Sequence, residues 1–114
     1  MAQTIREIIT EKSILLRDID SLGPIQASKE LVELSSLLSS LNRETSDANY
    51  WLNIKKMELL KEHNTAAKAK IYAEASPEWK DWHDRLTQAQ AVEEMIRAIK
   101  YYLRAAEEEY KLTR

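Results

Sequence analysis

The sequence predicts an all-α fold of three helices, in which a long antiparallel coiled-coil hairpin has a shorter N-terminal helix packed on it. The first observation is composition, because one glycine and two prolines in 114 residues supply little material for the turns of a β-rich fold. The second is spacing, since apolar residues recur at alternating steps of three and four, as in coiled coils. The length suits one small domain covering residues 1–114.

The first predicted helix covers residues 4–22. It begins with a capping box, Thr4-Ile5-Arg6-Glu7, in which the threonine hydroxyl and the glutamate carboxylate satisfy free backbone amides. Its heptad pattern has one polar member, Lys12, and consists of Ile5, Ile8, Lys12, Leu15, Ile19 and Leu22. We expect Gly23 to adopt a left-handed backbone conformation after the helix and Pro24 to prevent its continuation.

The second predicted helix covers residues 28–74. Its apolar positions keep one heptad phase from Leu31 to Ala73, and an unbroken helix of this length would be about 70 Å long. Such a length exceeds what a globular core covers and indicates a coiled-coil hairpin. The polar residues at 42–47 could instead cap a new helix. The continuous helix is favoured because the phase persists across them.

The third predicted helix covers residues 77–112. Ser76-Pro77-Glu78 combines an N-cap serine, a proline in the first position and an acid in the first turn. Only Ala75 and Ser76 separate the two long helices, which predicts an antiparallel hairpin with Leu86 near Asn64 or Leu60. The leucine-rich stretch at 31–41 has more apolar surface than one neighbour covers, so we expect a homo-oligomer.

Composition also limits the class of protein. The chain has no cysteine, which excludes disulfides and cysteine-based zinc or thiol chemistry. Residues 1–9 are interrupted by Arg6 and Glu7 and lack the apolar core of a signal peptide, and no apolar run is long enough to span a bilayer. We therefore expect a soluble, cytoplasmic protein without a membrane partner. The net charge of −2 gives no bulk attraction to nucleic acid, so such a partner would need a local basic patch.

Catalytic motifs are not recognisable in the sequence. The two histidines, His63 and His83, complete neither a zinc-binding His-Glu-x-x-His motif nor a Glu-x-x-His pair for a di-iron site. Gly23 stands alone, so no glycine-rich phosphate loop exists. We expect a protein that is not an enzyme and has no metal and no cofactor.

Charge varies strongly along the chain. Residues 55–70 hold five lysines and two glutamates, whereas residues 78–94 hold two basic and five acidic residues. One interpretation is charge pairing between the two helices of the hairpin. The other is a surface for single-stranded nucleic acid, in which phosphates contact cations and bases stack on aromatic rings.

The second interpretation involves two stripes of basic residues along helices, one containing Lys61 and Lys68 and the other Arg97, Lys100 and Arg104. The predicted phosphate contacts are Lys55, Lys56, Lys61, Lys68, Lys70, Arg97, Lys100 and Arg104. The predicted stacking residues are Tyr72 and Tyr101.

Trp79 and Trp82 lie one helical turn apart near the predicted hairpin tip. In one interpretation they close the open end of the hairpin as part of its core. In the other they anchor a partner protein, because tryptophan is over-represented at the energetically important positions of interfaces.

One stretch of the sequence resembles a known family. Trp51-Leu52-Asn53, followed by Ile54-Lys55-Lys56 and the run Ala66-Ala67-Lys68-Ala69-Lys70 with Tyr72, resembles the recombination mediator proteins of tailed phages. The resemblance implies a small helical oligomer that binds single-stranded DNA and helps to load a recombinase. By matching positions, it implies that Lys55, Lys56, Lys68 and Lys70 contact the DNA.

Two functional hypotheses follow from these features. The first is a non-catalytic helical accessory protein of phage-type DNA recombination or replication, which binds single-stranded DNA as an oligomer and has a recombinase or single-strand-binding protein as a further partner. The alternative is a helical adaptor, structural component or inhibitor that docks a larger protein. Substitution of Trp79 and Trp82 on the one hand, and of Lys68 and Arg104 on the other, would distinguish the two hypotheses.

Overall fold

The computed structural model describes residues 3–112, and it confirms the all-α prediction. Within these residues there are no strands, and the number of α-helices is four rather than the predicted three. The helices are α1 (Ile5–Leu16), α2 (Gly23–Glu62), α3 (Ala66–Glu74) and α4 (Pro77–Leu112), with a short 3-10 helix at Ile19–Ser21. None of the helices in the described part of the chain has the length and hydrophobicity that crossing a membrane requires.

The start of α1 is the predicted one, but its end is not. The backbone N–H of Glu7 donates to the Thr4 hydroxyl at 3.1 Å, as the capping motif predicts. The helix ends at Leu16 instead of residue 22. The Ser21 hydroxyl donates to the backbone carbonyl of Asp18 at 2.9 Å. Local side-chain-to-backbone hydrogen bonds of this kind compete with the backbone hydrogen bonds of a regular helix.

Helix α2 begins five residues earlier than predicted. Gly23 has a φ of +80°, which confirms the left-handed backbone expected at that position. Pro24 lies in the first turn of α2 and not in a linker before it. Its fixed φ suits a helix start, and its missing N–H is not needed there. The polar residues at 42–47 do not break the helix. Thr45 donates its hydroxyl to the Leu41 carbonyl at 2.7 Å, so it bonds within the helix rather than capping a new one.

The predicted helix over 28–74 is wrong in its last quarter, because the chain breaks after Glu62. Thr65 caps α3, with its hydroxyl accepting the backbone N–H of Lys68 at 3.2 Å. The start of α4 is as predicted: the Ser76 hydroxyl accepts the backbone N–H of Trp79 at 3.3 Å. The bounds of α4 match the predicted helix.

The chain forms two compact units. The first contains the described residues up to Ser39 and from Gln90 onward. Its buried apolar side chains are Ala27, Leu34, Val92, Ile96 and Ile99, at the heptad positions of α2 and α4. Helix α1 has no buried residue, so its packing in this unit depends on half-buried side chains and on a polar link described below.

The second unit covers Ser40–Ala89. Leu41, Ala48 and Leu52 are buried on α2, and Ala69 and Ala73 of α3 form a cluster with Leu59. Arg85 of α4 donates from Nη1 to Glu44 Oε2 at 2.7 Å. Glu44 is 16 residues from Leu60 in the sequence, or about 24 Å along a helix, so the predicted neighbourhood of Leu86 is wrong. The cause is the break after Glu62, which ends the continuous helix that the prediction required.

Candidate functional site

The predicted phosphate contacts lie at the surface of both units. In the second unit Lys55 is half-buried, whereas Lys56, Lys61, Lys68 and Lys70 are exposed. In the first unit the three basic residues of α4 are exposed. None of these eight side chains forms an ion pair with an acidic group of residues 3–112, whose ion pairs involve Lys12, Arg85 and Lys111. The charge-pairing interpretation is therefore wrong for the predicted contacts within the described residues.

The stripe predicted to contain Lys61 and Lys68 does not exist as a continuous helical stripe. Lys61 is in the last turn of α2 and Lys68 is in the first turn of α3, with the break at 63–65 between them. A spacing of seven places two residues on one face only if a single helix connects them. The predicted geometry fails here because the helix does not continue.

A second separation occurs within α3. Lys68 and Lys70 are two residues apart on one helix, so their side chains leave it about 200° apart. Lys70 lines a surface cleft of about 290 Å³, and Lys68 does not. The cleft, which we call the Trp79 cleft, is lined by Lys56, Leu60, Ala66, Ala69, Lys70, Ala73, Glu74 and Trp79. Helices α2, α3 and α4 all contribute to it, and all of its residues belong to the second unit.

Trp79 and Trp82 are both half-buried, so neither of the two interpretations made for them is decided. Their ring centroids are 6.3 Å apart in an edge-to-face arrangement. The ring of His83 stacks on the Trp79 indole, with centroids 4.7 Å apart and planes 9° from parallel. Only Trp79 of the two tryptophans lines the cleft.

The predicted stacking residues have different surroundings. Tyr72 of α3 is 53% exposed and stacks on His63, with centroids 4.3 Å apart and planes 5° from parallel. Tyr101 of α4 is 76% exposed. Nothing in the sequence signalled that each of the two histidines would stack on an aromatic ring.

The three basic residues of α4 remain a helical stripe in the structure. Arg97, Lys100 and Arg104 are spaced by three and four within one continuous helix, so they lie on one side of it. Tyr101 follows Lys100 and lies on the same side, since residues 97, 101 and 104 differ by four and three. Ile96 and Ile99 of the same helix are buried in the first unit, and Ile96 lies one helical turn before Lys100.

A polar cluster in the first unit was not predicted from the sequence. The Lys12 ammonium donates to Glu30 Oε2 at 2.6 Å and also to Glu33, while Gln26 donates to the other oxygen of Glu30 at 3.1 Å. Burial by itself lowers the pKa of Lys12, but the hydrogen bonds and charges of Glu30 and Glu33 outweigh it, so the pKa is raised above 10.5. The available signal was Lys12 itself, the one polar member of its heptad pattern.

Among the described residues, no group of three or more histidine, aspartate or glutamate side chains is arranged to hold a metal ion. The candidate binding surfaces are the unpaired basic residues with their exposed tyrosines and the Trp79 cleft. Comparison with known proteins finds no matching family model, no similar curated protein and no similar solved structure, so the functional argument rests on these surfaces.

Proposed function

We propose that this chain is a non-catalytic accessory protein of phage-type DNA recombination or replication, which binds single-stranded DNA as an oligomer and assists recombinase loading. The proposal is supported by the exposure of the basic residues and by their lack of acidic partners among the described residues. Eight cations are exposed or half-exposed without an acidic partner in residues 3–112, and two tyrosines beside them are more than half exposed. Unpaired cations next to open aromatic faces suit a flexible, unpaired strand.

In this proposal each unit supplies its own contacts. In the second unit the predicted contacts that lie outside the Trp79 cleft, Lys55, Lys61 and Lys68, bind phosphates and Tyr72 stacks against a base, while Lys56 and Lys70 line the cleft. In the first unit the α4 stripe of Arg97, Lys100 and Arg104 binds phosphates, with Tyr101 as the stacking residue. Binding in this mode depends little on base sequence, because every base offers a ring face and every nucleotide a phosphate.

Self-association is part of the proposal because the contacts of one chain are few. Ile25 and Val32, both on α2 in the first unit, are large apolar side chains that are exposed in the single chain. Residues of this type are covered when copies associate. An oligomer would repeat the basic surfaces along one strand of DNA and so raise the affinity by multivalency. A cytoplasmic recombinase or single-strand-binding protein would be the further partner.

The proposal is tested by fluorescence anisotropy of a labelled oligothymidylate at several salt concentrations. Each lost phosphate contact lowers the slope of log K against log salt by about 0.7 for single strands. We expect Lys68→Ala and Arg104→Ala each to weaken binding and to reduce this slope. Lys29→Ala and Lys80→Ala are the matched controls, since they remove the same charge from exposed positions outside the proposed contacts.

Two results would refute the proposal. One is the absence of saturable binding to the oligonucleotide at low salt. The other is an equal loss of affinity in the two controls and the two test variants, which would show that only the overall charge matters.

The alternative, a helical protein-binding adaptor, structural component or inhibitor, is favoured by one observation. Trp79 lines an open cleft rather than lying fully in a core. Under this alternative, substitution of Trp79 and Trp82 abolishes capture of the partner protein and leaves DNA binding intact. Substitution of Lys68 and Arg104 does the reverse.

A further inference from the structure

We propose that the Trp79 cleft is a docking site for a peptide segment of a partner protein in which a large apolar side chain is flanked by carboxylates. The cleft has two properties that together define such a ligand: an apolar floor and a cationic rim. Both are formed by residues of the second unit alone.

The floor of the cleft is apolar. Leu60 is 53% exposed, and its neighbours in the lining are three alanines of α3 and the Trp79 indole. Water over such a surface is displaced favourably by an apolar side chain, at roughly 25 cal/mol per Å² of apolar area covered. A volume of about 290 Å³ is at the lower end for small-molecule pockets and suits one or two side chains rather than a whole element.

The rim of the cleft is basic. Lys56 comes from α2 and Lys70 from α3, and neither ammonium group has an acidic partner among residues 3–112. Glu74 is the single acid in the lining, so the cleft carries a net charge of +1. Carboxylates of a ligand would therefore bind towards the two lysines. This charge complementarity selects an acidic segment over a basic one.

The lining argues against a nucleotide in this cleft. It contains no serine, threonine, asparagine, glutamine, tyrosine or histidine side chain, so the Trp79 indole N–H is its single neutral side-chain group that could hydrogen-bond the edge of a base. A base placed on the alanine floor would have most of its polar edge desolvated, with one neutral side-chain donor to compensate, which costs free energy. An apolar side chain has no such edge.

The cleft is also formed before any ligand binds. The Trp79 ring is stacked on His83, its backbone N–H is held by Ser76, and Ala69 and Ala73 are buried against Leu59. A preorganised site loses less conformational freedom on binding, so a short peptide can occupy it with measurable affinity.

The test uses a fluorescein-labelled hexapeptide, Glu-Glu-Leu-Phe-Glu-Glu, with the full-length protein and anisotropy as readout. We expect saturable binding with a dissociation constant below about 1 mM. The peptide Glu-Glu-Ala-Ala-Glu-Glu keeps the charge and removes the large side chains, and we expect it to bind at least about tenfold more weakly. Oligothymidylate serves as the competing nucleic acid.

Lys70→Glu and Lys68→Glu form a matched pair of variants. Both reverse one exposed charge on the same short helix, two residues apart, and circular dichroism checks that both are folded. We expect Lys70→Glu to weaken hexapeptide binding at least about fivefold and Lys68→Glu not to weaken it, because only Lys70 lines the cleft. Lys56→Glu should resemble Lys70→Glu.

Three results would overturn the inference. Equal binding of the two peptides would show a purely electrostatic contact. Equal effects of the two charge reversals would show that the cleft is not the binding site. Displacement of the hexapeptide by oligothymidylate, together with loss of DNA binding in Lys70→Glu, would make the cleft a nucleic-acid site. Failure of the oligonucleotide to bind the natural chain tests the proposed function separately and leaves this inference unaffected.

Discussion

Replacement of Lys12 by methionine removes the cation that joins α1 to α2 while it preserves most of the apolar stem. The Lys12 side chain is 18% exposed and the Glu30 side chain 5%, whereas Glu33 is 60% exposed. The variant therefore leaves a buried carboxylate with Gln26 as its one remaining hydrogen-bond donor. Removing one partner of a buried pair costs about 3–5 kcal/mol, mostly because the other charge stays buried.

An upper limit comes from protonation of the carboxylate that is left behind. A glutamate in an unfolded chain has a pKa of about 4.3, so placing a proton on it at pH 7 costs about 3.7 kcal/mol. Protonation of the carboxylate therefore limits the cost of removing its cation to about this value. We therefore expect Lys12→Met to lower the free energy of unfolding by about 3 kcal/mol, within a total of about 5–15 kcal/mol for a domain of this size.

The assay is urea denaturation followed by far-UV circular dichroism, with Glu33→Gln as the control. Glu33 contacts the same ammonium but is exposed, so its loss should cost at most about 1 kcal/mol. In the double variant Lys12→Met with Glu30→Gln, the buried charge is gone and much of the stability should return. A cost below about 1 kcal/mol for Lys12→Met, or one equal to that of Glu33→Gln, would refute the argument from burial.

Three further predictions concern stability. Folding raises the pKa of Lys12, so its pairing stabilises the fold fully below an unfolded-state pKa of about 10.4. This contribution disappears as the pH rises through the folded-state pKa. The urea midpoint should therefore fall more steeply above about pH 10 for the natural chain than for Lys12→Met. Gly23→Ala should cost about 1–2 kcal/mol through backbone strain alone, since nothing lies within 4 Å of an added Cβ, and Gly23→Asn should cost less; equal urea midpoints would contradict this. Thr65→Ala should cost about 1 kcal/mol by removing the cap of α3, with Thr65→Ser near neutral in the same measurement.

The predicted elements match the structure where a local signal and the heptad pattern agree. Ser76-Pro77-Glu78 fixed the start of α4, and the heptad positions identified Leu34, Leu41 and Leu52 as core residues. The prediction failed at 63–65, where neither glycine nor proline marks the break. Thr65 is an N-cap followed three residues later by Lys68 rather than by the glutamate of a capping box. The continuing heptad phase therefore concealed the end of α2.

The candidate site was less predictable than the fold, because it depends on which residues share a face. Spacing defines a face only within an unbroken helix, so the α4 stripe was predicted correctly and the stripe through Lys61 and Lys68 was not. The partners of Lys12 lie 18 and 21 residues further along the chain on another helix, so spacing within one helix could not predict them. The coiled-coil supercoil of the hairpin, the oligomer and the DNA contacts stay predictions.

The shortness of α3 has a consequence for how its surroundings behave. Nine residues are too few for a helix to persist in water without support, so its order depends on Ala69 and Ala73 packing on Leu59. The folding of α3 is therefore thermodynamically linked to the binding of a molecule beside it. Whatever occupies that side of α3 should slow the amide hydrogen exchange of residues 66–74, and mutations that leave the helix folded in only a fraction of the molecules should lower the apparent affinity by that fraction.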